Sequence, residues 1–258
     1  MKRILNIIIT ALLATGVVFL FVFANQKQHD VICPSFEINI VYNNAPQLID
    51  KTTVRNLITE HGIKIKGKSV ASIPATRIQK LINRNPYVKK ATVSVAVNGV
   101  VKATILQRNP LVRVIDMNNN QCLIDHDGAV MPINPYFPVR LVVANGNIES
   151  TRLLSALSGQ KLSRKLPEDL NNIYIIAGKL EKDTLTSALI EQIYINDKKE
   201  IELIPKIGDQ SIIVGDTLLL NDKLRNLKIF YSEGMKNLAW NNYKEINLKY
   251  KNQVVCSK

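Results

Sequence analysis

Residues Asn85 to Pro110, NPYVKKATVSVAVNGVVKATILQRNP, limit the possible folds more than any other stretch of the chain. Pro86 cannot sit inside a helix and biases Asn85 away from helical angles, so a helix arriving from upstream ends here. Ala91, Val93, Val95 and Val97 then alternate with Thr92, Ser94, Ala96 and Asn98, the period of a half-buried strand. Asn98-Gly99 predicts a tight type I′ turn, because both central residues of that turn need positive φ. Val101, Ala103 and Ile105 alternate on the way back. A hairpin with one apolar face requires a helical layer to cover it.

The chain just upstream supplies that layer. Phe36, Ile38, Ile40 and Tyr42 alternate as a first strand, and Asn43-Asn44-Ala45-Pro46 is a turn cluster. Asp50 is placed to cap a helix through His61, with Val54, Leu57, Ile58 and His61 on one stripe and Gly62 as its stop. Lys64 to Lys68 is a basic, glycine-containing loop. A second helix is predicted from Pro74 to Asn85, with Ile78, Leu81 and Ile82 facing inward. The order is strand, helix, helix, strand, strand.

Past Pro110, Val112 and Val114 alternate, a turn spans Met117 to Asn120, and Cys122-Leu123-Ile124 leads into the turn Asp125-His126-Asp127-Gly128. Ser150 to Ile190 reads mostly as helix and loop. Leu170, Ile173, Ile176, Ala177 and Leu180 fall at helical spacing, and Leu185 and Leu189 continue it in a following helix. Strands resume at Ile193 and Ile195, at Ile201 and Leu203, and at Ile212 to Val214. Asp222 is placed to cap a helix reaching Tyr231 or Met235. In the last segment Ile246, Leu248 and Tyr250 share one face of an extended strand, and Asn247, Lys249 and Lys251 the other.

The leader differs in kind. Met1-Lys2-Arg3 precedes an uncharged run from Ile4 to Ala24, whose 21 residues would make a helix of about 31 Å at ~1.5 Å per residue. That matches a hydrocarbon core of ~30 Å. Lys2 and Arg3 place the N-terminus in the cytoplasm and everything after Ala24 on the far side. The competing reading is a cleaved signal peptide, with small residues Val22 and Ala24 before the cut. Apolar cores of signal peptides span only ~7–15 residues, which favours an uncleaved anchor.

Charge and motifs narrow the function. The chain carries a net charge of +13, but adjacent lysines occur only at Lys89-Lys90 and Lys198-Lys199. No basic motif interleaved with aromatics is present, which weighs against nucleic acid. Cys33, Cys122 and Cys256 fit no zinc or CxxC spacing. Neither GxSxG, HExxH nor a glycine-rich phosphate loop occurs, so no catalytic constellation, cofactor or metal site is expected. Asp125, His126 and Asp127 invite a metal reading, but neighbouring side chains in a turn diverge, and Asp and Gly are the residues such a turn requires.

The β-α-α-β-β order joined at Asn85-Pro86-Tyr87-Val88-Lys89-Lys90-Ala91 resembles a POTRA domain. One such domain behind a single anchor resembles the bacterial division family FtsQ/DivIB. In that family the third strand ends in a glutamate-arginine-x-proline signature. Gln107-Arg108-Asn109-Pro110 follows it, with Gln107 in place of the acid. Leu123-Ile124-Asp125-His126-Asp127-Gly128-Ala129-Val130 follows the family's next hairpin. Tyr243 to Tyr250 resembles its late aspartate-hydrophobic-arginine-tyrosine strand, with Asn247 and Lys249 as replacements and Tyr250 kept. The resemblance implies an α+β protein: cytoplasmic stub and transmembrane helix over 1–24, tether over 25–35, POTRA domain over 36–110 and a mixed β-rich domain over 111–258. It implies a non-enzymatic scaffold of the cell inner membrane at the division septum, with its bulk in the periplasm. FtsB-like and FtsL-like single-pass proteins would be the partners. Tyr243, Asn247, Lys249, Tyr250 and Lys251 would form the docking strand. The alternative is a membrane-anchored POTRA protein of envelope transport or assembly.

Overall fold

The computed structural model describes residues 12–17, 19, 31–149, 166–234 and 243–258, which divide into two compact units. The smaller takes in 49–107 and the chain up to Tyr42. The larger takes in 43–48 and everything from Arg108. Most of the Ile4–Ala24 run lies outside the described residues, and residues 12–17 within it are helical. No helix among the described residues is long and apolar enough to cross a membrane.

The small unit is a three-stranded sheet in the order β1-β3-β2, from β1 (Phe36–Val41), β2 (Val88–Val95) and β3 (Val101–Gln107). β1 runs parallel to β3 and β2 antiparallel to it. Helices α1 (Lys51–Glu60) and α2 (Ala75–Asn83) cover one face. Both start as the sequence predicts. The Asp50 carboxylate accepts from the Thr53 backbone N–H at 2.6 Å, and Pro74 stands at the N-cap of α2. Val54, Ile58, Ile78, Leu81 and Ile82 join Ile38, Ile40, Ala91, Ala103 and Ile105 in one core. Gln107 is buried, and its Oε1 accepts from the Ile49 N–H at 3.2 Å. The carbonyl thus fastens the start of the helical layer to the end of β3 without a charge.

Two expectations about the hairpin fail. The turn is not type I′ on Asn98-Gly99. The Ala96 carbonyl accepts from the Gly99 N–H, and the Ala96 N–H donates to the Val100 carbonyl, both at 2.9 Å. Only Gly99 of the pair has positive φ (81°). This is a three-residue loop, a type I turn closed by a left-handed glycine. The extra residue lifts Val97 out of the strand, so it is fully exposed (101%) and not part of the buried face.

The large unit is a nine-stranded mixed sheet. Its strands are β4 (Pro110–Ile115), β5 (Gln121–Asp125), β6 (Val130–Pro132), β7 (Val142–Gly146), β8 (Ile190–Ile195), β9 (Ile201–Pro205), β10 (Ser211–Gly215), β11 (Glu245–Asn247) and β12 (Val255–Ser257). They lie in the order β12-β11-β10-β9-β8-β7-β4-β5-β6. Helix α3 (Glu168–Lys182) packs over β4 and β8 through Leu170, Ile173, Ile176, Ala177 and Leu180, and α4 (Thr184–Leu189) follows it. Helix α5 (Leu220–Ile229) adds Leu220 and Leu227 to the same core. Asp222 does not cap α5. The helix begins two residues earlier, behind Leu219 in the left-handed region (φ 51°), and Asp222 sits in its first turn, where its charge faces the positive end of the helix.

The last segment also departs from its reading. β11 covers only Glu245–Asn247, and the chain bends before Tyr250, which is 50% exposed and not on the inner face with Ile246 and Leu248. A turn with Asn252 at φ 59° then brings back β12, a strand the alternation pattern did not reveal.

Candidate functional site

Where another polypeptide could add to these sheets depends on which edges carry unpaired backbone groups. The β2 edge is closed by side chains of α2. Asn83 accepts from the Ala91 N–H at 2.8 Å and donates to the Ala91 carbonyl at 3.3 Å, and Gln79 Oε1 accepts from the Val93 N–H at 3.1 Å. β6 ends in Pro132, which has no N–H to offer. β11, the strand the sequence nominates for docking, is parallel-paired to β10 on one side and antiparallel-paired to β12 on the other. A third strand cannot lie against it. β12 is paired on one side only among the described residues, with Val255 43% exposed and Cys256 half-buried.

The five nominated residues divide accordingly. Tyr243 is partly buried against the core, its ring 6.2 Å from that of Phe230. Asn247 lies within β11, and its Oδ1 accepts from the Lys249 N–H at 3.1 Å. Lys249 Nζ is 2.8 Å from Glu200 Oε1, and its stem passes over Gly215. The hydrogen bond from Lys249 holds the Glu200 carboxyl below its ordinary pKa, and the same bond raises the Lys249 ammonium. Tyr250 and Lys251 are exposed in the turn that delivers β12. The structure therefore brings Tyr250 and Lys251 beside an open strand and commits Tyr243, Asn247 and Lys249 to neighbours inside the fold. The sequence reading did not place the strand Val255–Ser257. The signal available was the short apolar pair Val254-Val255 after the Asn252 turn.

The Asp125 turn is built for structure. Asp125 is 1% exposed. Its Oδ1 accepts from the N–H groups of Asp127 (2.9 Å) and Ala129 (2.7 Å), and its Oδ2 meets Arg108 Nη1 at 2.9 Å. His126 points elsewhere, to the Asn109 carbonyl (3.0 Å) and Glu181 Oε2 (2.8 Å), so the three side chains do not converge. Partial burial pulls the His126 pKa down, but the bonds to Asn109 and Glu181 outweigh it and raise it above 6.5. A raised folded-state value means that the stabilisation is fully present below pH 6.5 and is lost as pH rises through the folded pKa. The ring is over a third exposed, so screening keeps the effect below about 1 kcal/mol. Unfolding followed by urea between pH 6 and 8 is expected to show this decline in the parent, and a flat profile in His126→Gln.

A cavity of about 640 Å³ opens between α3, α4 and the sheet, floored by Leu111, Val142, Ala177, Leu180 and Ile190. Its hydroxyls serve the backbone: Thr186 donates to the Leu180 carbonyl and Ser187 to the Thr184 carbonyl. No base stands beside either in those contacts. Burial, then the charge of Asp116, pushes the Cys122 thiol up to about 12, so it is no nucleophile at neutral pH.

Residues 109–257, more than half of the chain, match the family described as FtsQ/DivIB, C-terminal related. The chain belongs to that family. Residues 31–106 match the POTRA-like domain, so both units of this FtsQ/DivIB-type protein have a family counterpart. Together the two matches support a cell division protein. A 90-residue stretch is 34% identical to the DNA helicase assembly protein of Enterobacteria phage T4. It covers 35% of this chain and 39% of that protein, so the chain spans well under half of that relative's length.

Proposed function

We propose that this chain is a single-pass cell division scaffold of the cytoplasmic membrane that takes up a strand of a partner protein along β12. Ile4–Ala24 is the anchor, and the helical residues Leu12, Leu13 and Val17 within it turn apolar side chains outward, as a lipid-facing helix would. The bulk of the chain then lies in the periplasm, and at the septum its partners are FtsB-like and FtsL-like single-pass proteins. The observation that carries the reading is the place of β12 at the end of the nine-stranded sheet, paired on one side only among the described residues. Backbone groups supply the affinity, and the exposed Tyr250 and Lys251 beside them supply selection, the ammonium favouring an acidic strand.

The test uses the full chain in membranes. Tyr250→Ala and Lys251→Glu are each expected to weaken capture of an FtsB-like partner, the tyrosine change by about tenfold or more, without lowering thermal stability. Lys249→Glu is a poorer probe, because it sets a carboxylate against Glu200. Bound partner should also slow alkylation of Cys256, which lies on β12. Unchanged capture by both variants, with Cys256 alkylated equally fast in either state, would remove the docking strand from consideration. Depletion that leaves cell length normal would favour the transport or assembly alternative.

A further inference from the structure

The basic surplus is not spread evenly. Residues 31–107 hold eleven Lys and Arg against three Asp and Glu, a surplus of eight. Residues 108–258, almost twice as many, hold twenty against seventeen, a surplus of three. Within the small unit three segments meet where the chain arrives from the leader. Ile32 bridges to Ser69, the Cys33 N–H donates to the Lys68 carbonyl at 2.8 Å, and the Gly67 N–H donates to the Cys33 carbonyl at 2.9 Å. The hairpin tip closes against the same stretch. A Cβ built on Gly99 would stand 2.7 Å from Val31 Cγ1 and 3.1 Å from the Ile32 carbonyl oxygen.

This end of the unit has an unusual surface. Val97 is fully exposed and Ile32 is 63% exposed. Lys64, Lys66 and Lys68 are exposed beside them, and no Asp or Glu occurs in 31–35, 61–72 or 95–101. Branched apolar side chains beside ammonium groups that form no ion pair among the described residues have the chemistry of an anionic bilayer interface. An acidic polypeptide would match the lysines but would leave Val97 and Ile32 without a function. Chain length puts the surface within reach. Seven peptide units separate Ala24 from Val31, a span of at most about 25 Å at ~3.6 Å per residue, whatever conformation residues 25–30 adopt.

We propose that this end of the POTRA-like unit lies on an anionic phospholipid surface, with Val97 and Ile32 in the interface and Lys64, Lys66 and Lys68 against the headgroup phosphates. The contact rests on the anchor reading of Ile4–Ala24. It holds the small unit against the membrane the chain emerges from.

The full chain is reconstituted into nanodiscs of phosphatidylcholine with brominated acyl chains, with or without phosphatidylglycerol. Val97→Trp is introduced on a Trp240→Phe background, so that one indole reports contact with the acyl region. Co-elution with discs reads the anchor, and bromine quenching reads the surface. Quenching is expected in anionic discs. It should fall by about twofold or more in pure phosphatidylcholine, at high salt, and in the triple variant Lys64→Glu, Lys66→Glu, Lys68→Glu. Co-elution without quenching overturns the lipid contact and leaves the anchor standing. Equal quenching with and without phosphatidylglycerol overturns the assignment of the lysines. A chain that stays out of the discs overturns both.

Discussion

Gly146→Ala is expected to destabilise the large unit by about 4 kcal/mol, enough to consume much of a domain's stability. Gly146 ends β7 at φ 98° and pairs with Ile195 of β8. A Cβ there would stand 2.3 Å from the Ile195 carbonyl oxygen and 2.9 Å from its nitrogen. Backbone atoms in the middle of a sheet cannot swing away as a side-chain tip can. The left-handed conformation costs a non-glycine residue about 1–2 kcal/mol, and overpacking adds about 1–3 kcal/mol. Gly128→Ala separates the two terms. Gly128 is also left-handed (φ 78°), but its Cβ would meet only Leu166 Cδ1 at 3.8 Å. That variant should lose no more than about 2 kcal/mol in urea unfolding. Equal losses at the two sites would mean that β7 and β8 can part without much cost.

Arg108→Ala should cost about 3 kcal/mol or more, because it leaves the Asp125 carboxylate buried without its guanidinium. The carboxylate would keep the N–H groups of Asp127 and Ala129, which neutralise a full charge only in part. The paired change Arg108→Met with Asp125→Asn removes both charges, and an amide oxygen can still accept from the same N–H groups. It should recover more than half of the loss. A double variant no better than Arg108→Ala would show that the cost lies in packing and not in the abandoned charge. The arginine of the glutamate-arginine-x-proline signature and the aspartate of the following hairpin thus act as one unit.

Much of this was legible in the residues, and the failures have specific causes. The two helices of the small unit were readable because Asp50, Gly62 and Pro74 punctuate them and each turns a stripe of Val, Ile or Leu inward. The hairpin was readable as a hairpin, but its turn was not. Asn-Gly fits positive φ at both positions or at the glycine alone, and the choice falls to the pairing of Val95 with Val101. The start of α5 was hidden because Leu219 adopts a left-handed conformation that no side chain of its type announces. At the candidate site the alternation put Tyr250 and Lys251 on one long final strand, whereas both are exposed in the turn between β11 and β12. Alternation from Ile246 to Tyr250 mimics one long strand, whereas the ladder stops after Leu248 donates to the Ile213 carbonyl. β12 has only three residues, too few for a period to show.

The amides that Gln79 and Asn83 lend to β2 also bear on how copies of this protein meet one another. An eight-residue border of free backbone would invite neighbouring copies to zip into ribbons wherever they crowd. By imitating a neighbouring strand from above, α2 ends that lattice of hydrogen bonds inside each molecule, so crowding does not turn into polymerisation through this border.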